Sequence, residues 1–69
     1  MSKEANFFIY LIENYAEYKG ITAGDVVKLL DEKNLTEFVY SMYEMYHIER
    51  LENAYEDIDS LIETGAPAW

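Results

Sequence analysis

Apolar side chains recur at helical spacing along most of the chain, and no stretch shows the strict alternation that is typical of a half-buried strand. The widest apolar arc lies in residues 37–50, where only Ser41 and Glu44 are plainly polar between Phe38 and His47. At about 100° per residue, these two polar side chains fall on one narrow face of a helix. A helix with so wide an apolar arc is covered by neighbours on several sides. We therefore expect this segment to form the central helix, with the other helices packed around it.

The first predicted helix covers about residues 3–19 and has clear signals at both ends. Ser2 can cap its first turn, because a serine hydroxyl accepts a hydrogen bond from a free backbone N–H group there. Gly20 can adopt the left-handed conformation in which many helices end. Apolar residues at spacings of three and four between these ends predict one buried face.

A second, shorter helix is predicted to follow Thr22, which can form a capping box with Asp25. This helix should end near Lys33, with Asn34 as a left-handed terminator. Gly24 lowers the intrinsic helix propensity, so we expect packing to stabilise the segment.

The central helix should begin after Thr36 as its cap and run to about His47. We expect a break at residues 48–50, because the apolar stripe changes phase there. No glycine or proline marks that position, so a single bent helix is the alternative.

The last helix, over about residues 50–63, has one continuous apolar stripe and ends at Gly65, with Pro67 preventing its resumption. Residues 66–69 form a C-terminal tail, which we expect to be mobile unless Trp69 folds back on the helices. About four helices in 69 residues predict an all-α fold. The expected architecture is a compact, single-domain bundle of short helices over residues 1–65.

Composition and charge narrow the classes of function. The chain contains no cysteine, and its net charge is −9. Residues 51–69 carry five acidic and no basic residues, so the charge is concentrated near the C-terminus. Such a surface repels nucleic-acid phosphates and anionic membranes, so we expect neither as a direct partner. With no apolar run long enough for a membrane span and no signal-peptide pattern, we expect a cytoplasmic protein.

The most specific charged feature is an acidic stripe on the last helix. Glu52, Glu56, Asp59 and Glu63 fall within about 60° of one another on a helical wheel. Like charges at this spacing weaken an isolated helix, and basic groups of a partner protein could gain from them. The alternative is a solvated face opposite the core, or acidity that serves solubility alone.

Seven tyrosines are more than so small a core should bury while giving each hydroxyl a hydrogen-bond partner. Some should therefore reach the surface, and Tyr40 and Tyr43 on the flank of the central helix are our candidates. Beside Met42 and Met45 they resemble a protein-binding patch. Tyrosines at the rim of the core, with their hydroxyls in water, are the alternative.

Catalytic and metal-binding patterns are weak in this sequence. The three serines have no base that the sequence positions, and the single histidine is His47. Glu44 and His47 form one Glu-x-x-His pair, whereas helical di-iron sites use two such pairs. We therefore expect no enzyme activity, no cofactor and no metal site.

The order of four motifs resembles a known family: NFFIYLIE at residues 6–13, KGIT at 19–22, YEMYH at 43–47 and EDID at 56–59. The family consists of short bacterial proteins catalogued as a domain of unknown function. Its members are often encoded beside predicted ADP-ribosyltransferase-like proteins of toxin–antitoxin type. The similarity covers about residues 5–63, but residues 48–50 stand where the family pattern has a glycine-containing turn. The resemblance implies a small accessory or neutralising partner and carries over no active residue.

Together these observations predict a small acidic protein-interaction module, antitoxin-like or accessory to a neighbouring enzyme. Its partner-binding residues would be those of the acidic stripe together with Tyr40 and Tyr43. One alternative is an acidic mimic of nucleic acid that inhibits a nucleic-acid-binding protein. The other is a homodimeric structural module.

Overall fold

The computed structural model describes residues 2–69, and these residues contain helices but no strand. Five helices follow one another along the chain: α1 (Lys3–Lys19), α2 (Ala23–Glu32), α3 (Thr36–Ser41), α4 (Tyr43–Tyr46) and α5 (Leu51–Thr64). The predicted all-α class is confirmed. The predicted number of about four helices is too low, because the expected central helix is divided into α3 and α4.

The ends of α1 and α2 lie where the sequence predicts them. The Ser2 hydroxyl accepts a hydrogen bond from the Ala5 amide, and Gly20 has a φ of 73° in the left-handed region. In α2 the Thr22 hydroxyl accepts from the Asp25 amide, and the Asp25 carboxylate accepts from the Thr22 amide. Both capping predictions are confirmed, since each depends on residues within one turn of the helix end.

The start of α3 differs from the prediction. Asn34 has the expected left-handed conformation, with a φ of 59°. Leu35, and not Thr36, occupies the cap position, and no side chain caps the helix. Thr36 is instead the first residue of α3, and its hydroxyl donates to the Asp31 carboxylate. The predicted Thr36 cap is therefore wrong, because α2 supplies a competing acceptor for its hydroxyl.

The division of the expected central helix falls at Met42. The Ser41 hydroxyl donates to the Phe38 carbonyl at 2.7 Å, which is the oxygen that the Met42 amide would use in a continuous helix. The Met42 amide donates instead to the Val39 carbonyl at 3.2 Å, and Met42 has φ −84° and ψ 13°. A side-chain hydrogen bond that competes with the backbone ladder thus accompanies the break.

A second interruption separates α4 from α5 at residues 48–50, as predicted. α5 then runs to Thr64 and ends at Gly65, which has a φ of 82°. Residues 48–50 therefore separate two helices and do not form part of one bent helix. None of the helices in residues 2–69 has the length and apolar character needed to cross a membrane.

The core lies between α1 and the other four helices. Backbone contacts join α1 to α2, α3 and α4, α2 to α3, and α4 to α5. The α3–α4 segment therefore lies against every other helix, although only its Val39 and Tyr46 are fully buried. The remaining buried apolar residues come from α1, α2 and α5: Leu11, Ile12, Tyr15, Ala16, Val26, Leu30, Ala54, Tyr55, Ile58 and Leu61.

The C-terminal tail folds back on α5 through Asp57, whose side chain is 6% exposed. The Trp69 indole N–H donates to the Asp57 Oδ2 atom at 2.9 Å, and the Ala68 amide donates to Oδ1 at 3.3 Å. The structure thus shows the folded-back form of the tail that the sequence left as an alternative to a mobile one.

Candidate interaction surface

The four residues of the predicted acidic stripe divide into two groups in the structure. Glu52, Glu56 and Glu63 are exposed on α5. Asp59 is only partly exposed, since it faces the C-terminal end of α1. It accepts a hydrogen bond from the Tyr15 hydroxyl at 2.5 Å and forms an ion pair with Lys19 at 3.1 Å. The chain therefore already supplies donors to Asp59, whereas the other three acids lie open to solvent.

The contact with Asp59 changes the acid–base properties of Tyr15. Burial raises the pKa of the Tyr15 hydroxyl well above its usual range, and the hydrogen bond to the Asp59 carboxylate raises it further. Both effects favour the neutral phenol, which keeps its proton and donates a hydrogen bond to the Asp59 carboxylate. Asp59 is thus part of the contact between α1 and α5.

Next to this contact, three tyrosines from α1 and α5 form an aromatic surface, of which Tyr10 and Tyr18 are exposed. The Tyr18 and Tyr55 rings are stacked, with their centroids 4.7 Å apart and an interplanar angle of 22°. Tyr18 is 61% exposed and Tyr10, two turns earlier on α1, is 52% exposed, whereas Tyr55 is buried. We call Tyr10, Tyr18 and Tyr55, together with Glu17 and Glu52, the tyrosine surface.

The carboxylates of the tyrosine surface approach Tyr55 from both helices. Burial raises the pKa of the Tyr55 hydroxyl, and Glu52, Tyr10, Glu17 and Tyr18 contribute smaller increases. Glu17 precedes Tyr18 on α1, Glu52 lies one helical turn before Tyr55 on α5, and both acids are exposed. An exposed tyrosine ring stacked on a buried one, with a carboxylate on each helix, is therefore shared between α1 and α5.

The basic groups near the tyrosine surface are few. Among the described residues, the Arg50 Nε atom lies 3.8 Å from Glu52, and both side chains are largely exposed. Glu17 forms no ion pair within residues 2–69. Lys19 pairs with Asp59 and places its Nζ atom 5.9 Å from the centroid of the Tyr18 ring. An ammonium group between a carboxylate and a tyrosine ring is therefore already present at one edge.

Tyr40 lies before the break at Met42 and Tyr43 lies after it, and both contact the N-terminal half of α1. The Tyr40 ring lies 5.6 Å from that of Phe8 and is exposed, whereas Tyr43 is half-buried. Tyr43 makes an edge contact with Phe7 at 5.6 Å. The two residues leave a partly open flank, but their role in binding a partner remains a prediction.

The other residues that the sequence suggested for a binding patch or a metal site have contacts within the chain. Met42 and Met45 are half-buried against the core. His47 stacks on Tyr43 with centroids 4.2 Å apart, and its Nδ1 atom lies 2.6 Å from the Tyr43 carbonyl oxygen. Within residues 2–69, no group of three or more histidine, cysteine or acidic side chains is arranged to hold a metal ion.

An apolar groove of about 220 Å³ separates α1 from α2. Phe8, Ile9 and Ile12 form its α1 side, and Ala23 and Val27 form its α2 side. Glu13 is the one charged residue in its lining, so the groove is mainly an apolar surface.

Two features of this surface were not predicted. Tyr10, Glu17 and Tyr18 are spaced seven and eight residues apart, a helical repeat that would have placed them on one side of α1. The contact of Tyr18 with Tyr55 joins two distant parts of the chain, and no local pattern indicates it. The burial of Asp57 likewise depends on the tail.

A family model described as a protein of unknown function, DUF3791, matches residues 6–65. The match covers most of the chain, so the chain belongs to this family. No curated protein and no solved structure matches the sequence.

Proposed function

We propose that this DUF3791 protein is a protein-interaction module, an antitoxin-like or accessory partner of an enzyme encoded beside it. The observation that carries the proposal is the number of large apolar side chains left in solvent. Tyr10, Tyr18, Ile48 and Trp69 are each more than half exposed in a chain of 69 residues. Exposed aromatic side chains with a polar rim are typical of protein-binding surfaces.

The charge distribution supports a basic protein as the partner. Glu52, Glu56 and Glu63 are exposed on α5, and Glu52 also belongs to the tyrosine surface. Acidic groups at the rim of an interface raise the association rate with a basic partner and make binding sensitive to salt. The net charge of −9 disfavours nucleic acids and anionic membranes as direct partners.

The cellular setting of the proposal comes from the resemblance to short bacterial proteins encoded beside predicted ADP-ribosyltransferase-like toxins. In this setting the module is cytoplasmic and neutralises or assists the product of the adjacent gene. The module itself needs no catalytic group or cofactor for this role.

The test is co-expression of the chain with the product of the adjacent gene, followed by sedimentation analysis of the purified mixture. We expect a complex of defined stoichiometry. A chain that remains a monomer at micromolar concentrations, with no complex, would refute the proposal. A concentration-dependent dimer without the second protein would support the homodimeric alternative instead.

A charge-reversal variant tests the acidic stripe within that complex. We expect Glu52→Lys, Glu56→Lys and Glu63→Lys together to slow association by about tenfold or more at low salt. Asp59 is left unchanged, because its reversal would also break the contacts with Tyr15 and Lys19.

The matched control reverses three exposed acids elsewhere, Glu13, Glu32 and Glu37, and changes the net charge by the same amount. Equal slowing by both variants would show that net charge alone acts. Unchanged association of the stripe variant would remove the stripe from the interface.

A further inference from the structure

The tyrosine surface combines two kinds of group that bind cations. The exposed Tyr18 ring, which stacks on the buried Tyr55, presents an aromatic face, and Glu17 beside it on α1 and Glu52 one turn before Tyr55 on α5 supply exposed carboxylates. A planar guanidinium group stacks on an aromatic ring and can also pair with a carboxylate through two hydrogen bonds. A lysine ammonium group is more strongly hydrated and lacks the planar shape. The surface therefore fits arginine better than lysine.

The chain itself shows that a cation is attracted to this region. The Lys19 ammonium group lies 3.1 Å from Asp59 and 5.9 Å from the centre of the Tyr18 ring. This distance is within the range of a cation–π interaction. Lys19 is at the edge of the tyrosine surface, however, and its carboxylate partner is Asp59. Glu17 has no such ion pair within the described residues.

A second copy of the chain is a poor occupant for this surface. The chain has five basic and fourteen acidic residues, so two copies approach each other with like net charge. Its one arginine, Arg50, already lies beside Glu52 of the same chain. Charge complementarity therefore favours a different, basic partner.

We propose that the tyrosine surface is the docking site for an arginine-bearing segment of a partner protein. The guanidinium group stacks on the Tyr18 ring, beside Tyr10, and pairs with Glu17 or Glu52. This inference rests on the proposed function as an interaction module and adds the chemistry of the segment that the module recognises.

The test uses a short peptide with two adjacent arginines as the probe and follows the amide resonances of the full chain by NMR. Peptides with lysine or with citrulline in place of arginine are the comparisons, since citrulline keeps the shape of arginine without its charge. We expect saturable shifts around residues 10, 17, 18, 52 and 55 with the arginine peptide. We expect weaker shifts with lysine and none with citrulline.

Variants separate stacking from general attraction. Tyr18→Leu should weaken binding of the arginine peptide by about two- to fivefold, the range of an exposed cation–π contact. Tyr18→Phe keeps the ring and should bind like the unmodified chain, which also shows that the surface tolerates substitution. Glu17→Gln with Glu52→Gln should weaken binding and reduce its salt dependence. The matched control is Glu32→Gln with Glu44→Gln, two exposed acids outside this surface.

Several outcomes would overturn the inference. The first two are equal binding of the arginine and lysine peptides, and binding of the arginine peptide to Tyr18→Leu as tightly as to the unmodified chain. The others are an equal loss of binding in the Glu32→Gln, Glu44→Gln control, and NMR shifts spread over all acidic residues. Absence of peptide binding would also overturn it, while a complex with the adjacent gene product would still support the proposed function. Peptide binding without that complex would leave the surface established and refute the proposed partner.

Discussion

The indole N–H group of Trp69 donates a hydrogen bond to the buried carboxylate of Asp57, so its removal gives a sharp test of the tail. Asp57 is 6% exposed, and the Trp69 Nε1 atom lies 2.9 Å from its Oδ2 atom. Trp69→Phe removes this donor and keeps an aromatic ring. Because the Trp69 side chain is 68% exposed, the change in buried apolar area is small. The variant therefore isolates one hydrogen bond to a carboxylate.

The size of the effect follows from the environment of Asp57. A hydrogen bond to a charged group contributes about 1.5–3 kcal/mol. Its loss leaves Asp57 with the longer Ala68 amide contact at 3.3 Å and with the buried Tyr46 hydroxyl as a neighbour. Release of the tail would let water reach Asp57, which limits the loss. We therefore expect Trp69→Phe to lower the free energy of unfolding by about 1–2 kcal/mol. A domain of this size has only about 3–10 kcal/mol in total.

The assay is urea unfolding followed by far-ultraviolet circular dichroism, because the variant lacks the only tryptophan. We expect a lower midpoint with an unchanged slope, since the area exposed on unfolding is nearly the same. Each kcal/mol should also lower Tm by about 4–8 °C. Ile48→Ala, which truncates a side chain that is 75% exposed, is the control and should change stability by less than about 0.5 kcal/mol.

A double-mutant cycle with Asp57→Asn assigns the effect to this pair. We expect a coupling energy of about 1 kcal/mol between Trp69 and Asp57, in line with a direct contact. A loss below about 0.5 kcal/mol for Trp69→Phe, together with a coupling energy near zero, would refute the role of the tail in covering Asp57.

Three further predictions follow from the helix ends and from the buried tyrosines. Ser41→Ala removes the hydroxyl that occupies the Phe38 carbonyl. The Met42 amide should then donate to that carbonyl in a continuous helix, and its hydrogen should exchange more slowly, as measured by NMR. Gly20→Ala should destabilise the fold by about 1 kcal/mol, because the φ of 73° at this position disfavours a residue with a Cβ atom. Gly24→Ala should stabilise it by about 0.5 kcal/mol, because Gly24 lies inside α2 and has room for a Cβ atom. Thermal unfolding measures both changes. Burial raises the pKa of Tyr15 and of Tyr46 above the value in the unfolded chain, so the unfolded state loses these protons first as the pH rises. The free energy of unfolding should therefore fall above pH ~10, by up to about 1.4 kcal/mol per pH unit for each group. Tyrosinate absorbance of the two should then appear only together with the loss of helical circular dichroism.

The elements that could be predicted are those whose signals lie within one helical turn. Ser2, Gly20 and the Thr22–Asp25 capping box act on the nearest backbone groups, so the sequence alone identifies them. The stripe of α5 and Gly65 at its end are local in the same way. These signals determine where α1, α2 and α5 begin or end, and hence most of the helical fold.

The break at Met42 shows where apolar periodicity is insufficient. The apolar arc of residues 37–50 continues through this position, and neither glycine nor proline marks it. The relevant residue is Ser41, which the periodicity treats only as a polar point on a helical face. Its hydroxyl bonds to the Phe38 carbonyl three residues earlier, an interaction that depends on side-chain conformation as well as on residue type.

The acidic residues of α5 mark the limit of prediction for the candidate site. A helical wheel groups Asp59 with Glu52, yet their surroundings differ. The donors to Asp59 come from α1, and one of them, Tyr15, is separated from it by 44 residues of sequence. Asp57 is likewise covered by Trp69, 12 residues further on. Carboxylates that already have donors contribute to the fold, and those without them remain free to attract a partner. The sequence predicts which acids share a face, but only the packing of α1 against α5 stacks Tyr55 on the exposed Tyr18 and so brings Glu52 towards Glu17.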